Sequence, residues 1–271
     1  MQKFFSRLAI ILLLGFLIYS AATIISTKVQ LDKSDKEIAE AVEKYTAPAS
    51  VPADSEEGED GPEYAPITVN FEYFKRTNED VVGWLYCEDP QISIPVLQTN
   101  NNTFYLKHSF SGRKSSIGAP FVDSRNRFGF EDANTIVFGR KMTYGSMFSF
   151  LENWNSQEYY DSHRELYLLT PDGDYRVEII AAYTVPANSN TFTVIYKTGR
   201  DMEGYLERIM ERSAIDTDVE ADPNSKYILL STYAGRRDSE RNVLHGKLIP
   251  LDTVGGVIPA PETEEEGQEG T

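Results

Sequence analysis

The residues best suited to chemistry lie near the C-terminal end of the chain. The run Lys226-Tyr-Ile-Leu-Leu-Ser-Thr-Tyr233 is apolar until its last three positions, which all carry hydroxyls. After a short polar connection a second such run follows, Arg241-Asn-Val-Leu-His-Gly-Lys-Leu248. Two neighbouring strands of this kind would set Ser231, Thr232 and Tyr233 beside Arg241 at a strand end opening into a groove, where folds commonly carry reactive groups. A guanidinium is a permanent cation whose planar fork holds carboxylates and oxyanions. A phenol with a pKa of about 10 is a poor nucleophile for acyl transfer at neutral pH. Whether these groups attack or merely bind depends on what the rest of the chain supplies.

It supplies few other chemistries. There is no Gly-rich phosphate loop, no HExxH, and no Cys/His cluster at metal-ligand spacing. The three histidines, His108, His163 and His245, and the one cysteine, Cys87, are scattered, so no metal and no cofactor is expected. A single cysteine excludes an intrachain disulfide. Cys87 alternates with Leu85 on a strand and reads as a packed thiol rather than a relocated nucleophile. His245 shares the strand face of Arg241 and is the histidine nearest to it in sequence, so it is the one candidate for proton transfer. His108 and His163 read as surface residues.

The elements that would position these groups follow from periodicity. Leu8–Ile25 is an apolar run of 18 residues flanked by Lys3, Arg7 and Lys28, long enough to span a bilayer as an uncleaved signal-anchor; the rival, a signal peptide cleaved near Ser20-Ala21-Ala22, has the apolar run continuing past it through Ile24 and Ile25. The basic segment 1–7 would then be cytoplasmic and the rest of the chain outside. Leu31, Ile38, Val42 and Tyr45 recur at helical spacing and predict a stalk helix, followed by a Pro- and Glu-rich linker; stalk and linker together fill 26–67. A globular domain is expected over 68–251 and a disordered acidic tail over 252–271. The segments 46–67 and 252–271 hold six carboxylates each and no Lys or Arg, accounting for all but four of the net −16 charges. The acidity therefore belongs to these segments, and it argues against nucleic acid as a partner.

Within the domain, Phe71, Phe74 and Asn78 suggest a short helix. Eight strand-like runs follow: Val81–Cys87, Ile92–Leu97, Ala119–Val122, Thr135–Phe138, Glu165–Thr170, Tyr175–Val185, Lys226–Tyr233 and Asn242–Pro250. Helices are predicted over Ser146–Trp154 and Asp201–Ile215. Eight strands with few helices point to a mainly β barrel or sandwich.

Several segments together carry a resemblance. Asn78-Glu-Asp-Val-Val-Gly-Trp-Leu85, Ile92-Ser-Ile-Pro-Val-Leu-Gln98, Asn102-Thr-Phe-Tyr-Leu106 and Gly118-Ala-Pro-Phe-Val-Asp123 resemble the opening of class B sortases. Thr135-Ile-Val-Phe-Gly139, Lys141-Met142 and Gly145-Ser-Met-Phe148 resemble that family's next signature, and Leu229-Leu-Ser-Thr232 with Arg241 its last. The match covers about residues 70–250 in the family's order. It implies an eight-stranded β-barrel with added helices behind an N-terminal membrane anchor. It also implies a cysteine transpeptidase at the Gram-positive surface, which cleaves a sorting signal and passes the acyl group to a cell-wall or pilin amine.

The resemblance places the family histidine directly after Gly139, where this chain has Arg140, and the family cysteine directly after Leu-Ser-Thr, where it has Tyr233. Arg241 stands at the position of the family arginine. Arginine stays protonated and cannot act as a general base. The expected protein is therefore a sortase-like pseudoenzyme that binds a sorting-signal peptide, a pilin or another sortase. The rivals are a transpeptidase with noncanonical groups and a structural wall-facing module. Arg140, Tyr233 and Arg241 would converge on one groove. The two guanidiniums would share a fixed acid, Asp123 or Asp238, or else a ligand anion, with Tyr233 bonding or stacking on Arg140.

Overall fold

Eight β-branched runs need both backbone partners and cover, and closing the sheet on itself supplies the partners without leaving an edge. The computed structural model describes residues 2–50, 63–141, 147–234 and 239–252. The helix α1 (Gln2–Tyr45) leads into a small ribbon in which β1 (Thr46–Pro48) pairs antiparallel with β2 (Ile67–Val69). After α2 (Phe71–Lys75) come β3 (Val81–Cys87), β4 (Ile92–Leu97), β5 (Phe121–Val122) and β6 (Asn134–Phe138). A 3-10 helix (Phe148–Asn155) and α3 (Gln157–Ser162) precede β7 (Glu165–Thr170) and β8 (Gly173–Pro186). Then follow α4 (Arg200–Arg212), β9 (Lys226–Tyr233) and β10 (Glu240–Pro250). The barrel closes in the order β10-β8-β7-β3-β4-β5-β6-β9. Its pairings are antiparallel except β4–β5 and β6–β9.

Strand alternation divides the apolar residues between three clusters. Leu85, Val96, Val122, Val137, Leu168, Ile179, Ile228, Leu230 and Leu244 form one with Phe148, Leu151 and Trp154 of the 3-10 helix. On the opposite face of β8, β9 and β10, Tyr183, Leu229 and Val243 are covered by Met202, Tyr205, Leu206 and Ile209, the apolar stripe of α4. Full burial of each such side chain contributes roughly 1.5–3 kcal/mol. The third cluster joins Trp84, Leu97, Tyr105 and Phe121 to Phe71 and Phe74 of α2 and to Ala41 and Tyr45 of α1.

All eight expected strands are present, and the mainly β barrel with added helices is the fold. Three local expectations are corrected. Of the segment expected as a helix over Ser146–Trp154, Ser146 lies outside the described residues and Phe148–Asn155 is a 3-10 helix, with Phe150, Leu151 and Trp154 buried as its pattern requires. The apolar span and the stalk are one continuous helix, and the stalk part is not a free spacer. Tyr45 stacks on Phe74 with ring centres 4.3 Å apart and shares a 2.6 Å hydrogen bond with Thr77, while Leu31 and Ala41 are buried. The linker is likewise tied back at both ends, through β1 and β2. The acidic stretch 51–62, Met142, Gly145, Asp238 and the tail from 253 lie outside the described residues. By length and composition α1 can cross a membrane; its exposed side chains include Ile10, Leu13, Phe16, Leu17, Ile24, Ile25 and Val29.

Candidate functional site

The site grows from the parallel pairing of β6 with β9. Ile136 lies opposite Leu229, Val137 opposite Leu230 and Phe138 opposite Ser231. Past this last rung the Gly139 N–H donates to the Ser231 carbonyl at 3.0 Å. Gly139 has to be glycine, because a Cβ there would lie 2.5 Å from Cδ2 of the buried Phe148 ring. The chain then delivers Arg140 at the end of β6 and Tyr233 at the end of β9. On the other side of β9 the antiparallel strand β10 sets Arg241 directly opposite Tyr233. Positions far apart in sequence thus emerge at one end of the barrel.

They line an open cleft of about 330 Å³, to which Arg140, Ser231, Thr232, Tyr233, Arg241 and Asp123 all contribute. Asn102 and Arg125 add polar groups, and Leu106, Phe121, Phe138 and Phe192 an apolar wall. The Arg241 guanidinium lies over the Tyr233 ring, 4.1 Å from its centre, and its Nη1 donates to the Glu240 carbonyl at 3.0 Å. Tyr233 therefore stacks on Arg241, not on Arg140 as the sequence suggested, because direct cross-strand pairing brings these two side chains together. Arg140 instead reaches across to the Leu106 carbonyl, donating from Nη2 at 3.0 Å. Its buried Nε has no partner among the described residues.

Asp123 does not bridge the two arginines. Its buried carboxylate accepts from Arg125 Nη2 at 2.6 Å, from Arg125 Nε, and from Asn102 Nδ2 at 3.0 Å. Burial alone would raise its pKa, but the donors of Arg125 and Asn102 outweigh it and hold the carboxyl below the usual range. The hydroxyls of Ser231 and Thr232 are buried and have no partner among the described residues. Ser231 shares the strand face of Tyr233, and both line the cleft at this end of β9.

The remaining nucleophile and base candidates do not line this cleft. Cys87 is buried in the first cluster, and burial pushes its thiol pKa up. His245 does share the face of Arg241, but α4 covers that face. Its Nε2 contacts the Tyr183 hydroxyl at 3.1 Å and its Nδ1 the Tyr205 hydroxyl at 3.4 Å. Burial lowers its pKa to about 3, so it is a neutral core residue. His108 stacks on Phe104 and His163 on Tyr159. Among the described residues no group of three or more His, Cys, Asp or Glu is placed to hold a metal ion. Arg125 and Asn102 carried no sequence signal as a carboxylate clamp beyond the two-residue spacing of Asp123 and Arg125 in a turn.

The chain is 32% identical over 177 residues to sortase B of Listeria monocytogenes, a match spanning 65% of this chain and 72% of that relative. The chain belongs to the sortase B family. The barrel is similar to the crystal structure of sortase B from B. anthracis in complex with AAEK1. That match has a TM-score of 0.68 at 28% identity, covering 82% of this chain and 99% of that one. A Staphylococcus aureus sortase B–substrate complex matches with a TM-score of 0.63 at 27% identity, covering 67% of this chain and 85% of that one. No protein-family model matches the sequence. The family's barrel is thus retained, with Arg140 and Tyr233 at the strand ends that face the cleft.

Proposed function

We propose that this sortase B family member is a membrane-anchored, peptide-binding pseudoenzyme at a Gram-positive cell surface. It takes the sorting-signal-like segment of a secreted protein, a pilin or another sortase into the cleft and does not carry out cysteine transpeptidation. The observation that carries this reading is the pair of residues at the two strand ends. Where the resemblance calls for an acid/base there is Arg140, bonded to the Leu106 carbonyl, and where it calls for a thiol there is Tyr233, stacked under Arg241. A guanidinium cannot take up a proton, and an ordinary phenol supplies almost no phenolate at neutral pH. Without nucleophile and base, a comparable triad keeps only about 10³–10⁴ of its acceleration over water, from positioning and oxyanion contacts.

Those binding elements persist. Arg241 can meet a peptide carbonyl or carboxylate, and the Ser231 hydroxyl offers an unused hydrogen-bonding group on the same face. Phe121, Phe138 and Phe192 can receive apolar side chains. A solved relative is a substrate complex, which supports a peptide as the occupant. In this reading α1 crosses the membrane once and holds the barrel outside.

The test incubates the full-length chain with sorting-signal peptides, following adducts and fragments by mass spectrometry and binding by anisotropy. Saturable binding without turnover is expected, weakened about tenfold or more in Arg241→Ala, as for loss of a charged hydrogen bond. An acyl adduct or cleaved peptide would refute the pseudoenzyme reading in favour of noncanonical catalysis. Absence of any binding would leave a structural module.

A further inference from the structure

A second cavity, of about 800 Å³, lies between α1 and the segment 106–116. Its walls carry five cations, Lys33, Lys107, Arg113, Lys114 and Arg140, against one carboxylate, Glu37. Glu37 offsets at most one of them, and its Oε1 accepts from the hydroxyls of Ser109 and Ser111 rather than from a cation. Among the described residues Lys33, Lys107, Arg113 and Lys114 form no ion pair. Five of the 26 Lys and Arg residues of a chain with a net charge of −16 thus line one cavity, against a single carboxylate.

The position of the pocket says what would compensate them. The apolar span of α1 ends at Ile25, and Gln30, the first α1 residue of the cavity wall, follows five residues later, about 7.5 Å along the axis. The headgroup layer occupies roughly 5–8 Å on each side of the hydrocarbon. The near edge of the cavity therefore meets the outer part of the headgroup layer, where Ser116 is hydrogen-bonded to Gln30 of α1.

We propose that this pocket binds the phosphodiester headgroup of an anionic phospholipid in the leaflet that α1 enters. The guanidinium of Arg113 and the ammonium groups of Lys33, Lys107 and Lys114 surround the phosphate, and the lipid locks the segment 106–116 against the helix. The proposal rests on reading α1 as a membrane span, but not on the absence of catalysis in the cleft.

The experiment places the full-length chain in nanodiscs of pure phosphatidylcholine or of a phosphatidylcholine–phosphatidylglycerol mixture. Lysine acylation is then followed residue by residue by mass spectrometry. With phosphatidylglycerol, labelling of Lys33, Lys107 and Lys114 slows about fivefold or more, the scale of one basic side chain meeting an anionic surface. Lys226 and Lys247 keep their rates. In the double variant Arg113→Ala, Lys114→Ala the slowing at Lys107 is lost. Equal labelling in the two discs overturns the proposal, as does protection of Lys107 that survives the double variant. Equal protection by inorganic phosphate in phosphatidylcholine discs overturns the lipid as source. Release of the chain from membranes by alkaline carbonate overturns the span itself, an outcome separate from loss of headgroup selectivity.

Discussion

Replacing Tyr233 by cysteine tests how the cleft's electrostatics are built. The sulfur would take the place of the first ring carbon, beneath a guanidinium that lies 4.1 Å from the ring centre. It would thus remain within the roughly 4–6 Å over which an opposite charge lowers an acid's pKa by about 1–3 units. Arg241 is only partly buried, so the lower end of that range applies. A free thiol of pKa about 8.5 is about 3% thiolate at pH 7, and a fall of one unit raises that to about 24%. The assay is the pH dependence of alkylation by iodoacetamide. The unsubstituted chain is the blank, since its one thiol, Cys87, is buried and its pKa raised. Tyr233→Cys should titrate near 7.5, and Tyr233→Cys with Arg241→Ala near 8.5, a coupling of about 1.4 kcal/mol. Indistinguishable titrations in the two variants would show that Arg241 does not act on the position, and its proposed hold on a peptide carbonyl or carboxylate there would fall. Adding Arg140→His to Tyr233→Cys should then bring back measurable hydrolysis of a sorting-signal peptide.

Three further outcomes are expected. Gly139→Ala forces a methyl into the Phe148 ring and should cost about 1–3 kcal/mol; an unchanged urea midpoint would contradict the packing. His245 is held neutral in the fold with a pKa of about 3, below its unfolded value near 6.5. Its contribution is complete above pH 6.5 and falls as pH drops toward 3, by up to about 1.4 kcal/mol per unit. Burial raises Asp174 to about 6, which acts with the opposite sign between about pH 4 and 6. The measurement is therefore the difference between the parent chain and His245→Gln, whose stability should depend less on pH across that window. Asp123→Ala removes a buried carboxylate, but the Arg125 side chain is 54% exposed and can return to water, so the cost should be about 1–2 kcal/mol, read as a lower melting temperature; a neutral result would mean that the pair is dispensable.

The barrel was legible because each strand is a bounded, β-branched run, and the two strand-end positions because Thr-Ile-Val-Phe-Gly and Leu-Ser-Thr mark where β6 and β9 stop. Contacts set by three-dimensional register were not. Alternation puts His245 on the face of Arg241, yet cannot tell that α4 lies over that face. The spacing of Leu31, Ile38, Val42 and Tyr45 shows a helical stripe without naming Phe74 as the surface it meets. The choice of Tyr233 between two arginines was decided by the β9–β10 ladder, and Asp123 was claimed by Arg125 from within its own turn.

The β6–β9 ladder ends at the pair Phe138 and Ser231, with Arg140 and Tyr233 two residues beyond it on each strand. Neither is a rung of that ladder: Arg140 follows β6 and is held by the Leu106 carbonyl, and Tyr233 is held by Arg241 across the β9–β10 ladder. The chemistry at these two points can therefore change while every rung of the β6–β9 ladder stays as it was. In this architecture a change of chemistry needs no change in the β6–β9 seam that closes the barrel.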